Sequence, residues 1–381
     1  MIQLNRLATP LVLLVVAALV IGLPAERSRD FDGTINFLAI FATTVAIYAI
    51  FTLALNVQWG YTGVFNFGVA AFFMVGAYTA AIFVKPPADP ESSVRYIGGF
   101  GEALSPPFLG GDQWVPFLVA ILAAAVASGI LAILLAVPTL RLREDYLAIT
   151  TIGVAELLRR VVIQEDGLVN GSRSLIGIPK PFSGYFDADT NRFVYLAVVI
   201  VVLAIVFLLV ERAIRSPWGR VLRALKEDEI ATAASGKNVF AFKMQGFVLG
   251  AMLMGVGGAV FAFSHGSIGP TTFDHFFATF MIWAMLMVGG SGNNWGAITG
   301  AFVVWGLWTI TLQLNGYDLP NVLQNRIFFI RDFLVGALIV TVLLLRPRGL
   351  IPEERRVSLW LDRRMRRSAR GDPVAEHTPH Q

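Results

Sequence analysis

Glu211-Arg-Ala-Ile-Arg-Ser-Pro-Trp-Gly-Arg-Val-Leu-Arg-Ala-Leu-Lys-Glu-Asp-Glu-Ile-Ala-Thr-Ala-Ala-Ser-Gly-Lys-Asn-Val-Phe-Ala-Phe-Lys243 is a hydrophilic island between two apolar stretches, Phe193–Val210 and Met244–Phe263. Ser216-Pro217 offers an N-cap followed by the residue best tolerated in a first helical turn. From Trp218, Val221, Leu222 and Leu225 alternate with Arg220, Arg223 and Lys226 at helical spacing. A second short helix is expected over Glu227–Ala234, with Asp228 and Glu229 at its positive N-terminal end. Gly236 can close it in the left-handed conformation. An ordinary solvated loop would explain the charges alone. The small residues Ala231, Ala233 and Ala234 in a short capped helix point instead to a compact knob that fits a groove on another protein.

Working outward, the 381-residue chain is 56% hydrophobic and 15% charged, where a soluble domain is nearer a quarter charged. It reads as an integral membrane protein, all-α and polytopic. With no cysteine, disulfides, thiolate zinc sites and cysteine nucleophiles are excluded. A net charge of +4 could suggest nucleic acid, but the basic residues flank apolar spans, so no nucleic-acid partner is expected and the lipid bilayer is.

About ten spans are expected. The first is Leu7–Leu23, read as a retained helix rather than a signal peptide. Asn36–Val57 is the second, and a third begins at Gly60 and runs to about Val84. Gly60, Gly63, Gly68 and Gly76 suit tight packing or a broken helix lining a path. The fourth, fifth and sixth are Trp114–Leu140, Tyr146–Ile163 and Phe193–Val210, separated by loops at 85–113 and 164–192. Met244–Phe263 is the seventh. Phe276–Val288 is short for a crossing of roughly 20 residues, so it is tilted, extended by Gly269–His275 or re-entrant. Trp295–Leu314 and Ile327–Leu345 complete the set. The domain division is 1–35 for the N-terminal helix and connection, 36–350 for the membrane domain with its inner loop 211–243, and 351–381 for a basic tail expected to be disordered. Seven basic residues lie in 211–243 and nine from Arg346 onward, which places the island and both termini in the cytoplasm.

Several chemistries leave no trace. The chain has no Gly-x-x-x-x-Gly-Lys-Ser/Thr loop, Gly-x-Ser-x-Gly elbow or His-Glu-x-x-His motif, so neither ATP hydrolysis nor another enzymatic activity is expected of it. His265 and His275 bracket a short external loop and read as interface residues rather than a metal pair, so no metal site is expected. Glu156 stands in an apolar context and needs a partner; Arg159 and Arg160, three and four residues on, supply a structural ion pair. Gly246-Phe-Val-Leu-Gly250 and Gly296-Ala-Ile-Thr-Gly300 have the small-residue spacing of close helix contacts.

Seven motifs stand in order: Gly60-Tyr-Thr-Gly63 with Gly76-Ala-Tyr-Thr79, Arg143-Glu-Asp-Tyr-Leu-Ala-Ile-Thr-Thr-Ile-Gly153, Gly177-Ile-Pro179, Arg215-Ser-Pro-Trp-Gly-Arg220, Glu227-Asp-Glu-Ile-Ala231, Val288-Gly-Gly-Ser-Gly292 with Trp295-Gly296, and Arg346-Pro-Arg-Gly-Leu350. Over about Asn36–Ile351 the chain thereby resembles the permease subunits of branched-chain amino-acid ABC importers, of the LivM type. The resemblance implies a plasma (inner) membrane assembly with a second homologous permease, two cytoplasmic ABC ATPase subunits that carry ATP and Mg, and an external solute-binding protein, with no cofactor on this chain. It makes Glu227–Gly236 similar to the segment that couples such permeases to their ATPases, bringing in Arg220, Glu227, Asp228, Glu229, Ala231, Ala233 and Gly236. The glycine falls seven places after Glu229, one more than the usual pattern. Asn56, Asn66 and Thr79 are expected along the translocation path. A urea or short-amide importer shares the architecture, and an ion-coupled secondary transporter is a further alternative.

Overall fold

The computed structural model describes residues 2–28, 31–88, 94–104, 114–314 and 326–353. The tail expected over 351–381 falls outside the described residues from 354 onward, as do 89–93 and 105–113 of the 85–113 loop. The membrane helices are α1 Ile2–Ser28, α2 Phe31–Leu55, α3 Val69–Val84, α4 Trp114–Thr139, α5 Glu144–Gln164 and α6 Ala188–Arg215. The island forms α7 Pro217–Glu227 and α8 Glu229–Ala234. There follow α9 Val239–His265, α10 Met281–Gly289, α11 Asn294–Leu314 and α12 Ile327–Leu345.

Among the described residues, five helical stretches are long and apolar enough to cross a bilayer: Asp32–Tyr61, Val115–Thr139, Ala188–Arg215, Val239–His265 and Asn294–Gln313. Three expected spans differ from plain helices. The third passage starts as an extended segment, 63–68, and becomes helical only at Val69. The eighth is a π-helical turn, Phe276–Phe280, followed by the nine residues of α10. α5 is continuous but amphipathic, carrying Glu156, Arg159 and Arg160 in its second half.

α9 is the centre of the bundle, packed against α2, α3 and α4. Its glycines make this possible, since a Cβ on Gly250 would meet the Gln58 Cγ at 2.4 Å. Gly300 of α11 is likewise pressed on the Met285 carbonyl, where a Cβ would come within 1.8 Å. Both small-residue pairs singled out in the sequence contain such a contact.

The connections divide into two sets. On one side the island meets Gly60, Gly292 and Glu353. There Leu350 and Ile351 donate their N–H groups to Val288 and Gly289, and Thr9 donates to the Leu350 carbonyl at 2.9 Å. The Val288-Gly-Gly-Ser-Gly292 and Arg346-Pro-Arg-Gly-Leu350 motifs therefore meet, and the glycine-rich turn is pinned. On the opposite side β1 (Leu175–Ile176) pairs antiparallel with β2 (Ser267–Ile268). Lys85 is buried there and donates to the Ile176 carbonyl at 2.6 Å; desolvation holds its ammonium pKa below the usual lysine range. Alternate spans thus return to alternate sides, as the sequence expects.

Candidate functional site

The island is built as its residues suggest, with two differences: the Ser216 cap is not made, and the second helix starts at Glu229 rather than Glu227. Pro217 opens α7, but Ser216 does not cap it: its hydroxyl donates backward to the Ala213 carbonyl at 2.6 Å. Gly219 lets α7 fold tightly against the end of α6, where a Cβ would stand 2.2 Å from the Ile214 carbonyl oxygen. Leu222 and Leu225 are buried, Trp218 donates to Gln245, and Arg220 is exposed. Glu227 ends α7, and Asp228 then turns extended and caps α8, accepting from the Ala231 N–H at 2.9 Å. Gly236 has φ +80° with nothing near its missing Cβ, so it is there for its conformation. Between these ends Ile230, Ala231, Ala233 and Ala234 are all exposed, Ile230 at 83%. Lys243 holds the knob from below through Glu229 at 2.6 Å.

Lys226 on α7 reaches inward and donates to the Gly60 carbonyl at 2.7 Å. Gly60 lies in a π-helical turn, Asn56–Tyr61, that continues α2. Asn56 is fully buried; its Nδ2 donates to the Asn294 Oδ1 at 3.1 Å and its Oδ1 accepts from the Gly292 N–H at 2.8 Å. Tyr61 also donates to the Asn294 Oδ1, and Asn294 donates to Glu211 at 2.7 Å, the first residue of the island. The island is therefore linked to the broken end of α2 twice, directly through Lys226 and, by way of Asn294, through Glu211.

Beyond the turn, 63–68 runs extended inside the bundle, where unpaired backbone groups would be costly. Side chains supply the partners. Asn66 accepts from the Gly68 N–H at 2.8 Å and donates to Gln58 at 2.7 Å, while Gln58 donates to the Phe247 carbonyl. Trp283 donates to the Asn66 carbonyl, Thr151 of α5 accepts from the Phe67 N–H, and Thr279 accepts from the Ala70 N–H. Val64 and Asn66 point inward, whereas Gly63, Phe65 and Phe67 are half-buried on the other face. Phe67 stacks on Trp283 with centroids 4.6 Å apart, and Phe65 and Trp59 pack beside it. The result is an aromatic wall on an unwound segment.

Asn56 and Asn66, expected along the path, are both fully buried, and their amides brace the break. Thr79 is half-buried on α3, away from the break. Glu156 is bonded to Arg159 at 2.8 Å and Arg160 at 3.0 Å, and His275 approaches it at 3.4 Å. His265 stacks on Phe261, and no group of three metal-ligating side chains occurs among the described residues. The sequence assigns no bracing role to Gln58, Thr151, Lys226, Trp283 or Asn294. Gln58 and Asn294 are amides beside apolar runs, and that was the signal available.

Residues 37–343 match the family described as "Branched-chain amino acid transport system / permease component". This chain belongs to that family. It is 28% identical over 368 residues to the high-affinity branched-chain amino acid transport system permease protein LivM of Escherichia coli (strain K12), covering 91% of this chain and 75% of that one. It is 25% identical to the probable branched-chain amino acid transport permease protein LivM of Methanocaldococcus jannaschii, covering 84% and 95%. The nucleoside ABC transporter permease protein NupC of Lactococcus lactis is 26% identical, covering 76% and 87%. No solved structure matches. As a member of the family, the chain is a transport permease and not itself an enzyme.

Proposed function

We propose that this permease subunit carries branched-chain amino acids inward as half of the membrane path of an ATP-driven importer. A second permease would complete the path, two ATPase subunits would bind the island from the cytoplasm, and an external binding protein would deliver the solute. The observation that carries this reading is the double link between the island and the broken end of α2, direct through Lys226 and by way of Asn294 through Glu211. A push on Ile230 and Ala231 reaches Gly60, and through it the 63–68 segment. Trp59, Phe65 and Phe67 give an apolar side chain a surface to slide along, and the interrupted helices supply polar backbone at the same depth. Closure of the ATPases shifts the outward-open and inward-open populations only if they bind the two states differently.

The test is reconstitution with partner permease, ATPases and binding protein, followed by ATP-dependent uptake of labelled leucine and urea. Leucine uptake is expected, and Gly236→Phe, which forces a bulky residue to φ +80°, is expected to abolish it. Uptake without any ATPase would overturn the reading, and uptake of urea alone would reassign the cargo.

A further inference from the structure

Lys226 has a second partner besides Gly60. Its ammonium lies 3.4 Å from the Glu353 Oε2, and among the described residues no other carboxylate pairs with it. Glu211, the other acid at this seam, is taken by Arg215 at 2.5 Å and by Asn294 at 2.7 Å. Glu353 in turn ends a short strap. Leu350 and Ile351 donate to the Val288 and Gly289 carbonyls, each at 2.9 Å, and the Pro352 carbonyl accepts from the Asn293 side chain at 3.1 Å. The strap lies hard on the glycine-rich turn, since a Cβ on Gly292 would stand 2.7 Å from the Glu353 Cδ.

What the strap holds decides what it can do. Val288 and Gly289 end α10, and α10 carries Trp283. Trp283 stacks on Phe67 with centroids 4.6 Å apart and donates to the Asn66 carbonyl at 2.9 Å. The aromatic wall therefore has two supports, the 63–68 segment and α10. Lys226 reaches both, the first through Gly60 and the second through Glu353 and the strap. Continuous helix joins Gly289 to Trp283, about 9 Å at 1.5 Å per residue, so a displacement of the strap is carried to the ring.

We propose that Glu353 is a positioning residue that makes Lys226 a fork, passing movement of the island to both supports of the aromatic wall at once. An ion pair this exposed adds little to stability; its part is to hold the lysine between two partners. The proposal rests on the reading that ATPase subunits drive the island, and not on the cargo.

The chain has no cysteine, so Ser291→Cys, labelled before assembly with the partners, places a single spin label in the glycine-rich turn. The spectrum of the reconstituted complex is compared with and without ATP. A nucleotide-dependent change is expected in the parent, reduced about twofold to fivefold in Glu353→Gln. It should be unaltered in Glu102→Gln, which removes an exposed carboxylate on the opposite side. Raising the salt should shrink the difference between parent and Glu353→Gln, which a purely structural brace would not show. Lys226→Met should lower the response further, and the double variant should match Lys226→Met alone. Melting midpoints of parent and Glu353→Gln should coincide.

An equal response in parent and Glu353→Gln, a further drop in the double variant, or a response that falls only together with the melting midpoint would overturn the proposal. A label that moves with ATP in a complex that takes up no leucine would count against the cargo while upholding the fork. A label that stays still in a complex that imports leucine would refute the fork alone, and a complex inert to ATP in both assays would sink the fork along with the importer reading.

Discussion

α5 and α6 both leave much of their surface uncovered, yet the uncovered residues differ in kind. Between residues 194 and 210 the exposed side chains of α6 are all aliphatic, with Ile205 and Leu208 more than half exposed. α5 shows Tyr146, Ile149 and Leu157, each above 60%, but interleaves them with Gly153, Glu156 and Arg160. Its buried side reaches the break, where Thr151 accepts from Phe67. Exposure in a membrane chain thus separates into two surfaces: α6 presents the uniformly apolar surface suited to lipid, and α5 the mixed surface suited to protein and solute.

The largest expected effect breaks or upholds that contrast directly. Ile205→Arg puts a charge on the lipid face of α6, at about 2.5–3.5 kcal/mol near a helix centre, and membrane-integrated yield should collapse. Ile149→Arg on α5 should insert far better while abolishing transport. Equal yields for the two variants would erase the distinction. Next in size, Glu156→Gln removes the carboxylate shared by Arg159, Arg160 and His275. We expect a loss of roughly 1–3 kcal/mol in detergent melting. Paired with Arg159→Met in a double-mutant cycle, it should show a coupling of at least about 0.5 kcal/mol; strict additivity would mean that α5 carries an idle ion pair.

Smaller changes sharpen the role of the island that hangs from α6. Lys226→Met unhooks α7 from the Gly60 carbonyl at about 1 kcal/mol of stability. ATPase binding should survive and leucine uptake should fall sharply, whereas parallel loss of both would locate the defect in docking. Asp228→Ala removes one cap, about 0.5–1 kcal/mol, confined to α8. The expected readout is weaker ATPase binding with an unchanged melting midpoint for the membrane helices.

The island was largely legible, because capping residues, amphipathic spacing and a terminal glycine act within a few residues of one another. Its second helix nevertheless starts at Glu229, not Glu227, since Asp228 takes the cap. The third span was legible as broken from its glycines, but the extended 63–68 segment was not. Its backbone partners include Thr151 and Trp283, which only tertiary packing brings beside it. Asn56 and Asn66 illustrate the converse difficulty. A buried amide in an apolar stretch signals a polar task, yet its partners differ: Asn56 meets Gly292 and Asn294, 236 and 238 residues on, while Asn66 turns to Gln58 and Gly68 close by.

Thr9 donates to the carbonyl of Leu350, 341 residues downstream, and accepts from Arg346. At synthesis rates of about 5–20 residues per second, α1 has emerged on the order of tens of seconds before its clasp exists. Until Arg346–Leu350 arrives, α1 must wait beside a bundle that has not yet closed, and a stalled chain would leave that clasp open for the quality-control proteases of the membrane.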